Sequence, residues 1–419
     1  MILERLFSAY RNSPAFWKIV FILGIGCHLA YVSNLKLGFL TPLSHDMTLF
    51  KTHQGIDFKA VYASGIYARE GINLYREGPV RGIEHTVFRY TPPVAIIIGA
   101  PLSFIPNAGI AYSVWILINE ILFLIDLFLT IRFCKIEKRL LPALSLWLFF
   151  FPYAVEIYMG QFSFLTGSLL FWTLLALREK RIDLALCLWI PAILLKLFPA
   201  IFIPIFWKRT SPKKTLLALG AAFLFTMPYF LFHPHDLDGF LRLNFPFGGH
   251  PLTEPYFGNQ GIYHFALAFR QNIPEISGAF LLFPIRAVGA AALLVFLYFC
   301  LKGQRSLPLI FSLGVSLFFL LSLEVWEHHY VMILPFFVLY CMTSQRMGTL
   351  SPLSFVLCAA PTLYLFVNPN GFLNRDSPSL SLNSSETFLY FAIKPVGVTI
   401  FMAILFLDLW KEKAAHYES

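Results

Sequence analysis

AGIAYSVWILINEILFLIDLFLTI, from Ala108 to Ile131, runs directly into RFCKIEKR, from Arg132 to Arg139. The first stretch is long enough to cross hydrocarbon as a helix, which takes about 20 predominantly apolar residues. The second is a basic turn of the kind retained on the cytoplasmic side of a membrane. Comparable apolar runs recur along the 419 residues, of which 58% are hydrophobic and only 13% charged. Such a balance lies outside that of soluble domains, and a helix apolar on every face must be buried in protein or lipid. The fold class is therefore an all-α polytopic membrane protein, a single transmembrane domain over residues 1–419.

Working outward from Ala108, the spans set an expected topology. Phe16 to Val32 follows Arg5 and Arg11 without a signal-cleavage pattern, so it is expected as an uncleaved first span with its N-terminus cytoplasmic. It delivers a polar first outer loop, about residues 36–93. Val94 to Ile105 is short and bounded by prolines, and parity with the basic turn after Ile131 leaves open whether it crosses or re-enters. Leu140 to Tyr158 and Phe164 to Leu177 are expected as single spans. Asp183 to Trp207 lies between two basic turns and is expected to go up and back, broken at Lys196-Leu197-Phe198-Pro199, since proline removes a helix donor. Thr215 to Phe232 leads into a second large outer loop, about residues 233–278. Ala279 to Leu301, Leu307 to Leu323, Val331 to Thr343, Leu353 to Val367 and Phe388 to Trp410 complete a bundle of about 10–13 transmembrane or half-spanning helices.

Other classes are excluded by composition. The net charge of +9 is what cytoplasmic Lys and Arg anchors require. No basic groove interleaved with aromatics is present, so nucleic acid is not expected as a partner. Cys27, Cys134, Cys187, Cys300, Cys341 and Cys358 show neither metal-ligand nor redox spacing; no metal or cofactor is expected.

Against this apolar background the polar residues stand out, and the topology gathers them at one face. In the first outer loop, Gly55-Ile56-Asp57-Phe58-Lys59 opens an amphipathic helical stretch to Arg69, with Gly71 as its C-terminal cap. Two readings of Asp57 are open: an N-cap bonded to backbone N–H groups, or a general base whose pKa is raised by partial desolvation. Lys196 either snorkels to an interface or lies deep as a functional cation. Glu324 to Tyr330 (EVWEHHY) is either an aromatic belt or a set of donors to a phosphate. Adjacent histidines point about 100° apart on a helix, so they make a poor metal site. Gln161 and Asn259-Gln260 are weaker signals, since turns use the same residues.

Taken in order, these pieces resemble glycosyltransferase family 87, a branch of the GT-C superfamily. The resemblance rests on Asp57, Gly71-Ile72-Asn73-Leu74-Tyr75, Tyr90-Thr91-Pro92-Pro93, Gly160-Gln161, Lys196 ahead of Pro199, Gly258-Asn259-Gln260 and Trp326-Glu327-His328-His329-Tyr330. It covers roughly Asp57 to Tyr340; the chain departs at Gln161-Phe162-Ser163, where the family commonly carries Asn. What it implies is a membrane-embedded hexosyltransferase at the plasma (inner) membrane. Such an enzyme moves a sugar, mannose most often, from a polyprenyl-phosphate donor to a glycolipid or glycan acceptor on the extracytoplasmic face. Asp57 would be the base and the anomeric carbon would invert. The expected donor-phosphate or substrate-binding residues are Lys196, His328, His329, Glu327, Gln161, Asn259, Tyr90, Lys59 and Arg270.

Two rivals predict different patterns. A transporter or flippase of lipid-linked sugars calls for inverted repeats, and none is found in the sequence. A ligase using a diphosphate donor calls for outer-loop arginines, of which the stretch from His233 to Gly278 has only Arg242 and Arg270.

Overall fold

The computed structural model describes residues 14–37, 54–76, 78–134, 140–245, 255, 258–271, 278–302, 306–343, 350–360 and 384–412. Among these the chain is helical, and the only β pairing is two isolated bridges, Val80 with Ile83 and Asn259 with Trp326. In chain order the elements that matter for function are α1 (Pro14–Leu37), α2 (Ile56–Glu70), α3 (Pro92–Ser103), α4 (Ala108–Cys134), α5 (Leu140–Leu148), α6 (Phe151–Met159), α7 (Ser163–Arg178), α8 (Ile182–Leu195) and α9 (Ile203–Arg209). They continue with α10 (Pro212–Phe232), α11 (Pro234–Asn244), α12 (Ile262–Gln271), α13 (Gly278–Lys302), α14 (Leu307–Leu321), α15 (Leu334–Thr343), α16 (Leu350–Ala359) and α17 (Ser384–Lys411).

Among the described residues five helices are long and apolar enough to cross a bilayer: most of α1, α4, α10, α13 and α17. The α5–α6 pair and the shorter apolar helices α3, α7, α8 and α14 fill the bundle between them, so the protein is polytopic and all-α. At 1.5 Å per residue α3 is only about 18 Å long, too short for a full crossing. Its middle turn, Ala95–Gly99, is π-helical.

The structure departs from the sequence reading at two helices. Leu140 to Tyr158 is not one straight helix: α5 and α6 meet at a bend of 43°. Phe150 is extended there and Pro152 sits in the first turn of α6, where the missing N–H costs nothing. The second departure is α2, whose expected amphipathic pattern leaves little of the helix exposed. Phe58 and every residue from Ala60 to Tyr67 are buried. Its Gly65 meets Gly99 of α3 so closely that a Cβ would stand 2.1 Å from the Gly99 carbonyl carbon. The expected cap is present, with Gly71 left-handed and its N–H bonded to the Tyr67 carbonyl.

The break after α8 is as expected. Lys196 is extended, and a 3₁₀ turn follows at Phe198–Phe202. Broken helices persist at membrane depth only where protein satisfies the freed backbone. Here the Thr91 hydroxyl donates to the Leu194 carbonyl, and the Trp189 indole donates to that of Pro199 at 2.8 Å.

What brings the first outer loop to the bundle is a tight joint between α2 and the end of α6. The Gly55 N–H donates to the Tyr158 carbonyl at 2.8 Å, and Gly55 (φ 66°) and Gly160 (φ 70°) are both left-handed. A Cβ on Gly160 would lie 2.5 Å from the Phe58 Cβ. Tyr112 of α4 locks the joint by donating to the carbonyls of Ile157 and Tyr158 at 2.7 and 2.9 Å. Gly160→Ala therefore meets both a left-handed strain of about 1–2 kcal/mol and a clash with the Phe58 Cβ of α2. Gly71→Ala has the same φ and open space around it. Thermal unfolding in detergent should show Gly160→Ala clearly more damaging than Gly71→Ala, and only the former should lose activity.

Candidate active site

Because α2 docks on the end of α6, the first turn of one helix faces the turn that closes the other. Asp57 does not cap its helix: the N-cap is Gly55, with no side-chain cap bond. Its carboxylate instead takes one donor on each oxygen. The Thr86 hydroxyl donates to Oδ1 at 2.8 Å, and Gln161 Nε2 donates to Oδ2 at 2.7 Å. Gln161 is oriented in turn, since the Tyr90 hydroxyl donates to its Oε1 at 2.8 Å. Thr86 and Tyr90 come from the loop between α2 and α3, which folds back over Asp57.

Asp57 is half-buried, and this burial raises its pKa above the ordinary 3.8. The bonds from Thr86 and Gln161, and then the charges of Arg89 and Lys196, partly oppose the rise. A carboxylate with a raised pKa and a fixed orientation is suited to accept a proton. Arg89 and Lys196 are the cations whose fields reach Asp57. Arg89 is exposed and ion-paired with Glu324, which ties the first outer loop to the segment carrying the histidine pair.

That segment is a 3₁₀ turn, Glu327–Ile333, entirely buried. Burial first, and the charge of Lys196 second, hold both imidazoles well below their ordinary pKa. They are neutral groups beside a cation, not cations themselves. His329 Nδ1 accepts the Trp326 N–H at 3.0 Å, so its proton sits on Nε2 and remains a donor. His328 is only 2% exposed, and neither of its ring nitrogens has a hydrogen-bond partner among the described residues.

Of the sequence-predicted residues, Asp57, Gln161, Tyr90, Lys196, His328 and His329 thus fall in one neighbourhood, linked by hydrogen bonds or by the field of Lys196. Others are engaged elsewhere. The Glu327 carboxylate is 3.1 Å from the Lys394 ammonium, both fully buried, so it anchors the turn to α17. Asn259 Oδ1 accepts from the N–H groups of Gly261 and Val325 at 3.0 and 3.2 Å, stitching the second outer loop to the strand-like segment before Trp326. Lys59 stands two residues from Asp57 on α2, a spacing that does not share a helix face. Arg270 lies in the last turn of α12, and its charge is not among those acting on Asp57.

Sequence reasoning missed three contributors. Arg89 and Thr86 sat in a loop read mainly for its closing Tyr90-Thr91-Pro92-Pro93. Glu156 was hidden inside the apolar run from Leu140 to Tyr158. It is fully buried in α6, its Oε1 accepting the Phe164 N–H at 2.7 Å, and its charge interacts with those of Lys196 and Asp57. An ionisable residue inside an apolar run is itself a signal, and it would have found Glu156.

Fold and site together define a polytopic membrane protein with one oriented carboxylate beside cations and neutral imidazoles. The family model for glycosyltransferase family 87 matches residues 88–323, more than half of the chain. The chain belongs to glycosyltransferase family 87, a GT-C-type family, and is a membrane glycosyltransferase. The match includes Arg89, Tyr90, Gln161 and Lys196; Asp57 and the histidine pair lie outside it. No curated protein and no solved structure matches the chain.

Two outcomes test this description of the site. Gln161→Leu removes a donor that favours ionised Asp57. A hydrogen bond to a charged group contributes about 1.5–3 kcal/mol, and one pKa unit is about 1.4 kcal/mol. Asp57 should therefore titrate at a higher pH in this variant than in the parent, by about one unit, as read by carbon NMR of the labelled carboxyl group, because its ionised form has lost a donor. Lys394→Met should destabilise the fold by about 3–5 kcal/mol by stranding Glu327. Adding Glu327→Gln should restore much of that loss, as read by thermal unfolding.

Proposed function

We propose that this glycosyltransferase moves a hexose, mannose foremost, from a polyprenyl phosphate to a lipid- or glycan-linked acceptor, with inversion at the anomeric carbon. The observation that carries the reading is the position of Asp57: half-buried, held by one donor on each oxygen, with Lys196 and Arg89 acting on it from outside the hydrogen-bond set. A polyprenyl donor lies in the bilayer, so its enzyme must present a site at membrane depth or at the surface. In the proposed step the acceptor hydroxyl gives its proton to Asp57 as its oxygen bonds to the anomeric carbon. The bond from that carbon to the phosphate oxygen breaks, and the electron pair leaves on the polyprenyl phosphate.

The phosphate gains negative charge as it departs, so groups that meet that charge lower the barrier. Lys196 and Arg89 are the cations in reach, and His329 Nε2–H is an oriented neutral donor. No general acid is required, because a phosphate leaves as a stable anion. A retaining reaction needs a second carboxylate at the anomeric carbon; Glu156 is fully buried with one oxygen committed to the Phe164 N–H, which favours inversion. The basic turns favour a cytoplasmic N-terminus and an extracytoplasmic Asp57, in a plasma (inner) membrane under this reading.

A transfer assay with purified protein, a panel of polyprenyl-phosphate sugars and extracted cell lipids tests the proposal. Product should form with one such donor and not with nucleotide sugars. Asp57→Asn should lower kcat at least 10³-fold while donor binding persists; full activity in that variant removes Asp57 as the base. Lys196→Ala should raise donor KM about 10-fold or more, and an unchanged donor KM would leave Lys196 without a role at the phosphate.

A further inference from the structure

Asp57 sits at one end of the bundle; a second polar feature lies at the other. Helix α7 starts next to Gln161 and has 16 residues, so its far end is about 24 Å away along the axis. There, Leu177, Lys180, Ile182, Arg209 and Leu307 line a cavity of about 330 Å³. They come from the end of α7, the start of α8, the end of α9 and the start of α14. The neighbouring ends of α8 and α14 lead back toward Lys196 and Glu324, so the cavity and the site occupy opposite ends of the same helices.

Two features set this cavity apart from an ordinary basic turn. The first is the conformation of Lys180. The Arg181 N–H bonds to the Ala176 carbonyl at 2.8 Å, and the Lys180 N–H bonds to that of Leu177 at 3.1 Å. This is a Schellman closure of α7, and its left-handed position, normally glycine, is occupied by Lys180 at φ 60°. The chain thus holds a strained lysine where glycine would close the helix more easily.

The second feature is the charge balance. Nearby acids are engaged: Asp183 by the Lys214 ammonium at 2.6 Å, Glu179 by Arg181 at 3.9 Å, and Glu412 by the Ser306 N–H at 2.9 Å. Arg178 lies over the Phe133 ring at 3.9 Å. The Lys180 side chain has no acidic partner among the described residues, and it shares the cavity with the Arg209 guanidinium and three aliphatic walls.

We propose that this cavity binds the phosphate headgroup of an anionic membrane lipid, with Lys180 and Arg209 meeting the phosphate and Leu177, Ile182 and Leu307 meeting the adjoining acyl region. Basic pockets between transmembrane helices on the cytoplasmic side hold such headgroups, and the aliphatic stems of Lys and Arg pack along apolar walls while their charges reach the interface. The chemistry needed is a phosphate anion joined to an apolar chain. A free phosphate would find the cations but leave the leucine and isoleucine walls unused. The site is independent of the transfer reaction and stands whatever donor the enzyme uses.

The test is lipid-dependent stability of the full chain in a neutral detergent, read by thermal unfolding and by lipid adducts in native mass spectrometry. Probes are dioleoyl phosphatidylglycerol, dioleoyl phosphatidylcholine and inorganic phosphate. Phosphatidylglycerol should raise the melting temperature by about 3 °C or more at saturation, and the other two should not. Lys180→Gly relieves the left-handed strain, so the lipid-free variant should melt at the same temperature as the parent or higher, yet lose at least half of the phosphatidylglycerol shift. Arg209→Gln should lose a similar share. An equal shift with phosphatidylcholine, a full shift with inorganic phosphate alone, no shift with phosphatidylglycerol, or a full shift retained in both variants would each overturn the proposal.

Discussion

The close approach of Phe58 to Gly160 is the constraint on which the rest of the site depends. Two left-handed glycines let the start of α2 and the end of α6 pass within contact distance, and Tyr112 holds that joint from the side. Without it, Asp57 and Gln161 belong to separate parts of the chain, 104 residues apart. With it, Gln161 becomes a donor to Asp57 and a link to Tyr90. Backbone packing between helices therefore sets the geometry of the Asp57 carboxylate, and close packing of small residues is how membrane helices approach one another.

Charge inside the bundle follows a consistent rule. Each buried carboxylate described accepts a hydrogen bond or joins an ion pair. Asp126 on α4 takes donors from Ser168 and Trp172, at 2.6 and 2.5 Å. Glu120 takes the Tyr153 hydroxyl at 2.8 Å and lies 2.9 Å from His28. Glu327 and Lys394 neutralise one another. Against this background Asp57 and Lys196 differ, since among the described residues their charges act on one another through space and are not closed into an ion pair, whereas Arg89 is closed on Glu324. The buried pairs hold the architecture.

Parts of this arrangement were legible in the sequence for clear physical reasons. Hydrocarbon thickness demands long apolar runs, so the spans around α1, α4, α10, α13 and α17 declare themselves. Proline cannot continue a helix, so the break at Lys196 to Pro199 is visible. Gly71 marks the end of α2 because a left-handed cap favours glycine. Asp57 is conspicuous as an acid in a polar loop. The 43° bend between α5 and α6 was not visible, because both halves are equally apolar and Pro152 is at home in a first turn. The burial of α2 on nearly every side was not visible either, because Gly65 and Gly99 look like any other small residues until two backbones meet.

By itself the sequence determined the polytopic helical class, the family and a short inventory of polar residues, because these depend on composition and local order. Partnership was decided only in the tertiary structure. Gln161 and Tyr90 read as substrate contacts, and the fold adds hydrogen bonds from Tyr90 to Gln161 and from Gln161 to Asp57. Glu327 reads as part of a polar cluster and turns out to bind Lys394, 67 residues on. Glu156 reads as nothing in an apolar run and sits beside the cation of the site. A hydrogen bond or ion pair requires two groups within about 3 Å, and that distance is set by how helices far apart in sequence pack, which no local pattern encodes.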